Sequence, residues 1–372
     1  MSKTNRREFL CHGSFLGLAL ATGLGSSARR ARGQQVTASA TTPHSSDLLT
    51  QPALRAVDRG LAFLTSRQQA DGSLGSEKKS AEISALAGLA FLSAGSTRDR
   101  GRHRRQIDLS IDFVSLHADE AALSEANAQR ASASLERSLL NPVQETALYG
   151  ESFATLFLAE CHETSRCCKI DEKLSAAVER IVDAQYMDGS WRREAEPTES
   201  DLVYTARQLL ALRAVRNAGI QVPTDAIQRG ADFIKRSQNS DGGFSWDPAD
   251  HGEKNLARTA AALAGLYAAG IYEGAELERG LDHLTRFRPR IERGDTVPGE
   301  IPQLAGYYLA TQAMWHAGGT RWETWYVSVR DLLLKNQAAN GSWSDAVSSE
   351  HATSLACLIL QMPNSYLPSF QR

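Results

Sequence analysis

One short pattern occurs four times along the chain: Gln68 to Gly72-Ser73-Leu74, Gln185 to Gly189-Ser190-Trp191, Gln238 to Gly242-Gly243-Phe244 and Gln337 to Gly341-Ser342-Trp343. Each copy reads Gln-x3-Gly-x-apolar. The glycine always follows Asp or Asn (Asp71, Asp188, Asp241, Asn340), a dipeptide that takes positive φ and ends a helix. Arg59-Gly60-Leu61-Ala62-Phe63-Leu64 leads to Gln68 with the same spacing that joins Arg229-Gly230-Ala231-Asp232-Phe233-Ile234 to Gln238. Two degenerate copies keep only the apolar positions, Phe113-Val114 ahead of Ala118 and His283-Leu284 ahead of Arg288. The six equivalent positions, 68, 118, 185, 238, 288 and 337, are separated by 50, 67, 53, 50 and 49 residues. A period near 50 specifies a repeat architecture. The one long interval holds a polar insert around 118–141, rich in Ala, Ser and Glu and expected to be helical.

Each repeat reads as helix, turn, helix. The helix after the turn is apolar nearly all round, as in Thr259-Ala-Ala-Ala-Leu-Ala-Gly-Leu-Tyr267, and must be buried on most sides. The helix before it, for example 224–237, alternates apolar and charged faces at helical period and belongs outside. Gly219, Gly270 and Gly318 close inner helices, and no segment shows sustained strand alternation. Six such hairpins can close into a ring, which removes the exposed ends of an open solenoid.

These turns and hairpins resemble the prenyltransferase and squalene-oxidase repeat, the QW-type motif of terpenoid cyclases and protein prenyltransferase β subunits. The resemblance covers about residues 56–366. It implies an all-α fold, an α/α toroid of six inner and six outer helices, with each turn's glutamine and aromatic packed between neighbouring repeats. The structural turn residues are then Gln68, Gly72, Gln185, Gly189, Trp191, Gln238, Gly242, Phe244, Gln337, Gly341 and Trp343. It also implies that the inner helices surround an apolar cavity able to take an isoprenoid chain.

The chemistry of that family is not spelled out here. There is no Asp-x-Asp-Asp motif to protonate an alkene and no Asp-Asp-x-x-Asp cluster to hold magnesium on a diphosphate. Asp108 and Asp112 have the wrong spacing and lie on an outer helix. Of the zinc-binding triad of protein prenyltransferases, His351 alone has a counterpart, because the Asp-x-Cys region reads Leu304-Ala305-Gly306-Tyr307-Tyr308. Neither a metal nor a cofactor is expected. The polar residues on inner helices are Glu82, Glu145, Tyr149, Glu151, Asp201, Tyr204, Arg258, Tyr307, Tyr308 and His351. Among them Glu151, Asp201 and His351 are candidate catalytic groups, and Glu82, Tyr149, Tyr204, Arg258, Tyr307 and Tyr308 candidate ligand contacts. Pairing of the carboxylates with Arg207 or Arg258 accounts for them equally.

Cys161, His162, Cys167 and Cys168 make a poor metal set by spacing, and a bridge from Cys161 to Cys167 or Cys168 competes with free thiols. Cys357 reads as core. The arginine runs 98–105 and 286–293 fall at opposite ends of the hairpins, so they form no single groove.

Asn5-Arg6-Arg7-Glu8-Phe9-Leu10 precedes an apolar stretch too short for a membrane span, and Ala38-Ser39-Ala40 has a signal-peptidase pattern. Residues 1–40 are expected to be a twin-arginine-type export signal, 41–55 a linker and 56–368 the toroid; an uncleaved anchor is the alternative. The full chain has 372 residues, is 42% hydrophobic and carries a net charge of −2. That balance gives no electrostatic reason to bind nucleic acid, and no integral membrane domain is expected once the signal is gone. The expectation is an exported toroid that binds an apolar ligand, isoprenoid in the family's manner, or a protein partner. The alternatives are a cyclase-like or lyase-like enzyme using other cavity acids, and a structural scaffold module.

Overall fold

The structure is a computed structural model that describes residues 48–75, 80–131, 143–164, 168–192, 201–246, 255–287, 289 and 303–370. Side chains are described outside 118–131, 143–150, 163–164, 168–169 and 370. Among the described residues twelve α-helices follow one another: α1 (Gln51–Arg67), α2 (Ala81–Ser93), α3 (Arg104–Ala131), α4 (Val143–Thr164), α5 (Cys168–Asp183), α6 (Leu202–Asn217), α7 (Thr224–Arg236), α8 (Leu256–Ala268), α9 (Ala275–Leu284), α10 (Gln303–Ala317), α11 (Gly319–Asn336) and α12 (Ser349–Gln361). The even-numbered helices pack in the order α2, α4, α6, α8, α10, α12 and back to α2, a closed inner ring. The odd-numbered helices lie outside, each chiefly on the inner helix of the preceding repeat, with α1 on α12. This is the α/α toroid the repeats imply.

The two layers differ as their patterns require. Every residue of α8 from Ala257 to Ala268 is buried, whereas α7 buries only the stripe Ala226, Ile227, Gly230, Ala231, Phe233 and Ile234. Inner helices begin on polar caps. Ser80, Asp201, Asn255 and Ser348 each accept an amide of the first turn, satisfying donors the helix cannot reach itself.

The repeated turn is a joint between repeats. Gln68, Gln185, Gln238 and Gln337 donate through Nε2 to the carbonyl of their own turn glycine and to a carbonyl near the start of the next outer helix (Gln106, Ala226, Glu276 and Ala56). The last of these joins repeat six to repeat one. Gly72, Gly189, Gly242 and Gly341 all have φ between 87 and 89°, and a Cβ on any of them would strike the backbone of the next outer helix. The turn's apolar residue packs on a glycine of that helix, Trp191 on Gly230, Phe244 on Gly280 and Trp343 on Gly60. Its own amide donates to a hydroxyl on the following inner helix: Leu74 to Ser84, Trp191 to Thr205, Phe244 to Thr259 and Trp343 to Thr353.

One boundary differs from expectation. Helix α1 starts at Gln51 rather than 56, because the Thr50 hydroxyl caps it and Pro52 suits its first turn. Helix α3 runs straight through Ala118 to Ala131, the helical replacement of the second turn that the polar insert leads one to expect. After α12 the chain makes two 3₁₀ turns, Met362–Asn364 against α10 and Pro368–Phe370 against α4 and α6. This tail passes Gly95 at the end of α2 and thereby crosses the short-loop end of the ring, with Leu367 buried beneath it.

Candidate functional site

The hydroxyls of Ser84, Thr205, Thr259 and Thr353 set a common register, because each points outward to a turn amide. A residue two positions away, at about 100° per residue, faces the ring axis instead. Two positions before Ser84 is Glu82, and two after Thr205 is Arg207. They meet at 2.9 Å although α4 separates their helices around the ring, so the bridge passes over the inner face of α4. The Arg207 guanidinium also stacks 4.6 Å over the ring of Phe153 on α4. Three neighbouring inner helices are thus tied together at the end where the repeated turns lie.

His351 occupies in α12 the register that Glu82 holds in α2, two positions before the turn-facing hydroxyl. Its Nδ1 lies 2.7 Å from Oδ2 of Asp345, and both side chains are buried. The other Asp345 oxygen accepts the amides of Val347 and Ser348, and the Ser348 hydroxyl caps His351 N, so carboxylate and ring are both fixed. Beside them Glu350 faces the outer layer and pairs with Arg67 at 2.8 Å.

The remaining candidates spread round the same end. Asp201 caps α6 through the Tyr204 amide, the helix-start role open to it from the sequence. Glu151 pairs with Arg180 of α5 at 2.8 Å. Burial, and next the Glu151 charge, push the Tyr204 hydroxyl well above its ordinary pKa, so it stays protonated. Arg258 lies 5.3 Å from the ring centre of Trp246. Tyr307 sits edge-on to Trp325. Tyr308 is deeper: its hydroxyl accepts from Gln312, and burial together with Glu160 raises its pKa. Glu145 and Tyr149 lie outside the residues whose side chains are described, as do Cys167 and Cys168.

The structure brings Glu82, Arg207 and Phe153 together and sets the Asp345–His351 pair at the start of the adjacent inner helix α12. Arg207 was legible as a counterion, whereas Asp345 carried no signal, since it sits in an irregular loop six residues before its partner. Below the end where the repeated turns lie, the mouth of the ring, α8 turns Ala261, Ala264 and Ala268 to the axis, and α6 turns Leu210 and Ala214. Leu210, although two turns inside α6, is only half-buried. At the far end Glu160 of α4 accepts the Ser369 amide of the tail, and Gln361 donates to Ala90 O, joining α12 to α2. The axis is polar at the mouth, apolar below it and covered beneath.

No group of three or more His, Cys, Asp or Glu capable of holding a metal occurs among the described residues. No described helix is long and apolar enough to cross a membrane. Arg98 pairs with Asp108 of α3 at 3.1 Å on the tail side of the ring, away from the mouth.

Comparison with known proteins agrees with this geometry. Residues 153–294 match the squalene-hopene cyclase C-terminal domain family. A type II terpene cyclase from Scytonema, solved with its substrate geranylgeranyl dihydroxybenzoate, superposes with a TM-score of 0.54 at 12% identity, covering 86% of this chain and 99% of that one. An α-1,6-mannanase of Salegentibacter sp. HEL1_6, solved with α-1,6-mannotriose, gives 0.58 at 8% identity over 84% and 99%. A wild-type glycosidase gives 0.56 at 12% identity over 88% and 100%. At such identities these likenesses are likenesses of fold. The chain is an α/α toroid, and its segment 153–294 matches the squalene-hopene cyclase C-terminal domain family.

Proposed function

We propose that this protein is an exported toroid whose axis binds an apolar ligand of the isoprenoid class, without the alkene-protonating or diphosphate-binding motifs of the cyclases. One observation carries the reading: a wall of Ala261, Ala264, Ala268 and half-buried Leu210 beneath a polar mouth, with the far end covered by the tail. Small apolar side chains facing a closed-ended axis suit a hydrocarbon and offer a sugar few hydrogen-bond partners. That favours the ligand chemistry of the terpene cyclase neighbour over that of the mannanase. The paired arginines and the following apolar stretch support export, and cleavage after Ala40 removes six basic residues and one acidic.

A catalytic reading is favoured by a separate observation, the fixed Asp345–His351 pair at the mouth. The ligand reading is tested by equilibrium dialysis of the mature chain with farnesol, a C15 isoprenoid alcohol. Retention is expected for the wild type and loss for Ala261→Trp, with helical content unchanged by circular dichroism. Equal retention by a folded Ala261→Trp variant contradicts an axial site.

A further inference from the structure

The mouth contains a hydrogen-bond acceptor. Glu82 reaches Arg207 over the inner face of α4, which establishes that the position two residues before the turn-facing hydroxyl looks inward. His351 holds that position in the adjacent inner helix α12. Its Nδ1 lies 2.7 Å from the Asp345 carboxylate, itself held by two backbone amides, and a carboxylate accepts, so the ring proton belongs on Nδ1. Nε2 then carries a free lone pair and has no hydrogen-bond partner among the described residues. A carboxylate-oriented imidazole of this kind is fixed in orientation and in tautomer.

We propose that His351 accepts a hydrogen bond at Nε2 from the hydroxyl of an apolar alcohol or phenol seated on the axis, with Asp345 as its positioning residue. This rests on the ligand reading above and names the functional group that ligand presents. The ligand O–H bond stays intact in this contact, because full transfer from an alcohol would leave an alkoxide with no electrophile to take its electron pair.

The test uses the mature chain labelled with ¹⁵N-histidine. NMR is expected to show His351 protonated on Nδ1, with Nε2 shifting on addition of farnesol and not on addition of 2,6,10-trimethyldodecane, a hydrocarbon of similar length. In Asp345→Asn the remaining oxygen still accepts the Val347 and Ser348 amides, so the new NH₂ faces Nδ1 and the tautomer reverses. Carbethoxylation of His351 by diethyl pyrocarbonate, read by mass spectrometry, is expected in the wild type and lost in this variant. A wild-type His351 protonated on Nε2 overturns the proposal, with no variant needed. So does an Asp345→Asn variant with unchanged tautomer and reactivity, or farnesol that is retained yet leaves Nε2 unmoved. Farnesol that is not retained at all contradicts the ligand reading, while the tautomer and its reversal still decide the pair.

Discussion

Arg207 on α6 and Glu82 on α2 form an ion pair at 2.9 Å that spans α4 on the inside of the ring, with Arg207 5% and Glu82 17% exposed. Removing one partner of a buried pair leaves the other charge unpaired, a loss of about 3–5 kcal/mol when burial is complete. Glu82 keeps some solvent, which lowers the expected cost of Arg207→Met to about 1–3 kcal/mol. The double variant Glu82→Gln/Arg207→Met is expected to recover part of that loss. Urea denaturation of the four chains measures the coupling, and strictly additive losses contradict a direct pair.

Gln337 closes the ring by donating to Ala56 O at 2.8 Å and to Gly341 O at 2.9 Å. Gln337→Ala leaves both acceptors without this donor and is expected to cost about 1–3 kcal/mol. Gln337→Glu has no N–H to offer the two carbonyls but keeps the oxygen to which Arg59 donates, so it is expected to remain destabilised, by less than Gln337→Ala. Thermal unfolding of the two variants checks the donor role, and a fully stable Gln337→Glu chain refutes it.

Gly230 and Gly219 are glycines for different reasons. A Cβ on Gly230 would lie 2.8 Å from Cζ3 of Trp191, so Gly230→Ala overpacks a repeat joint by about 1–3 kcal/mol. Gly219 has φ of 91° with open space around it, so Gly219→Ala carries only backbone strain of about 1–2 kcal/mol. Asparagine tolerates positive φ. Gly219→Asn is therefore expected to be milder than Gly219→Ala, whereas Gly230→Asn is worse than Gly230→Ala, as denaturation midpoints will show.

Glu350 supplies a pH dependence. Burial alone would raise its pKa, but the Arg67 guanidinium, its own backbone amide and Ser348 outweigh burial and hold it below the ordinary 4.5. The folded state thus binds this proton less readily than the unfolded chain. The stabilisation is fully present above the unfolded value and is lost as pH falls through the folded one. The stability gap between wild type and Glu350→Gln is expected to be constant above about pH 6 and to shrink below about pH 4.5. A gap that widens on acidification contradicts the sign.

Most of the fold was readable because its signals are local. The Gln-x3-Gly turn, the apolar inner helices and the striped outer ones repeat every 50 residues or so, and the glycines sit where backbone contact forbids a Cβ. Closure through Gln337 and Ala56 followed from the family resemblance, since no local pattern joins residues so far apart. The site was legible only in part. Charges such as Glu82 and Arg207 stand out on otherwise apolar helices, but which of them meet depends on how three helices sit round the ring. Asp345 was invisible because its loop has no period, and its role arises only when two amides turn it toward His351. The tail across the short-loop end had no signature beyond Leu367.

The most direct test of an apolar axial ligand is native mass spectrometry of the mature chain purified from a host that exports it, beside the denatured mass and an organic extract. The account predicts a native mass exceeding the denatured one by a stoichiometric apolar molecule that appears in the extract and disappears in the Ala261→Trp variant. Identical native and denatured masses, with an empty extract and no uptake of farnesol, would contradict it.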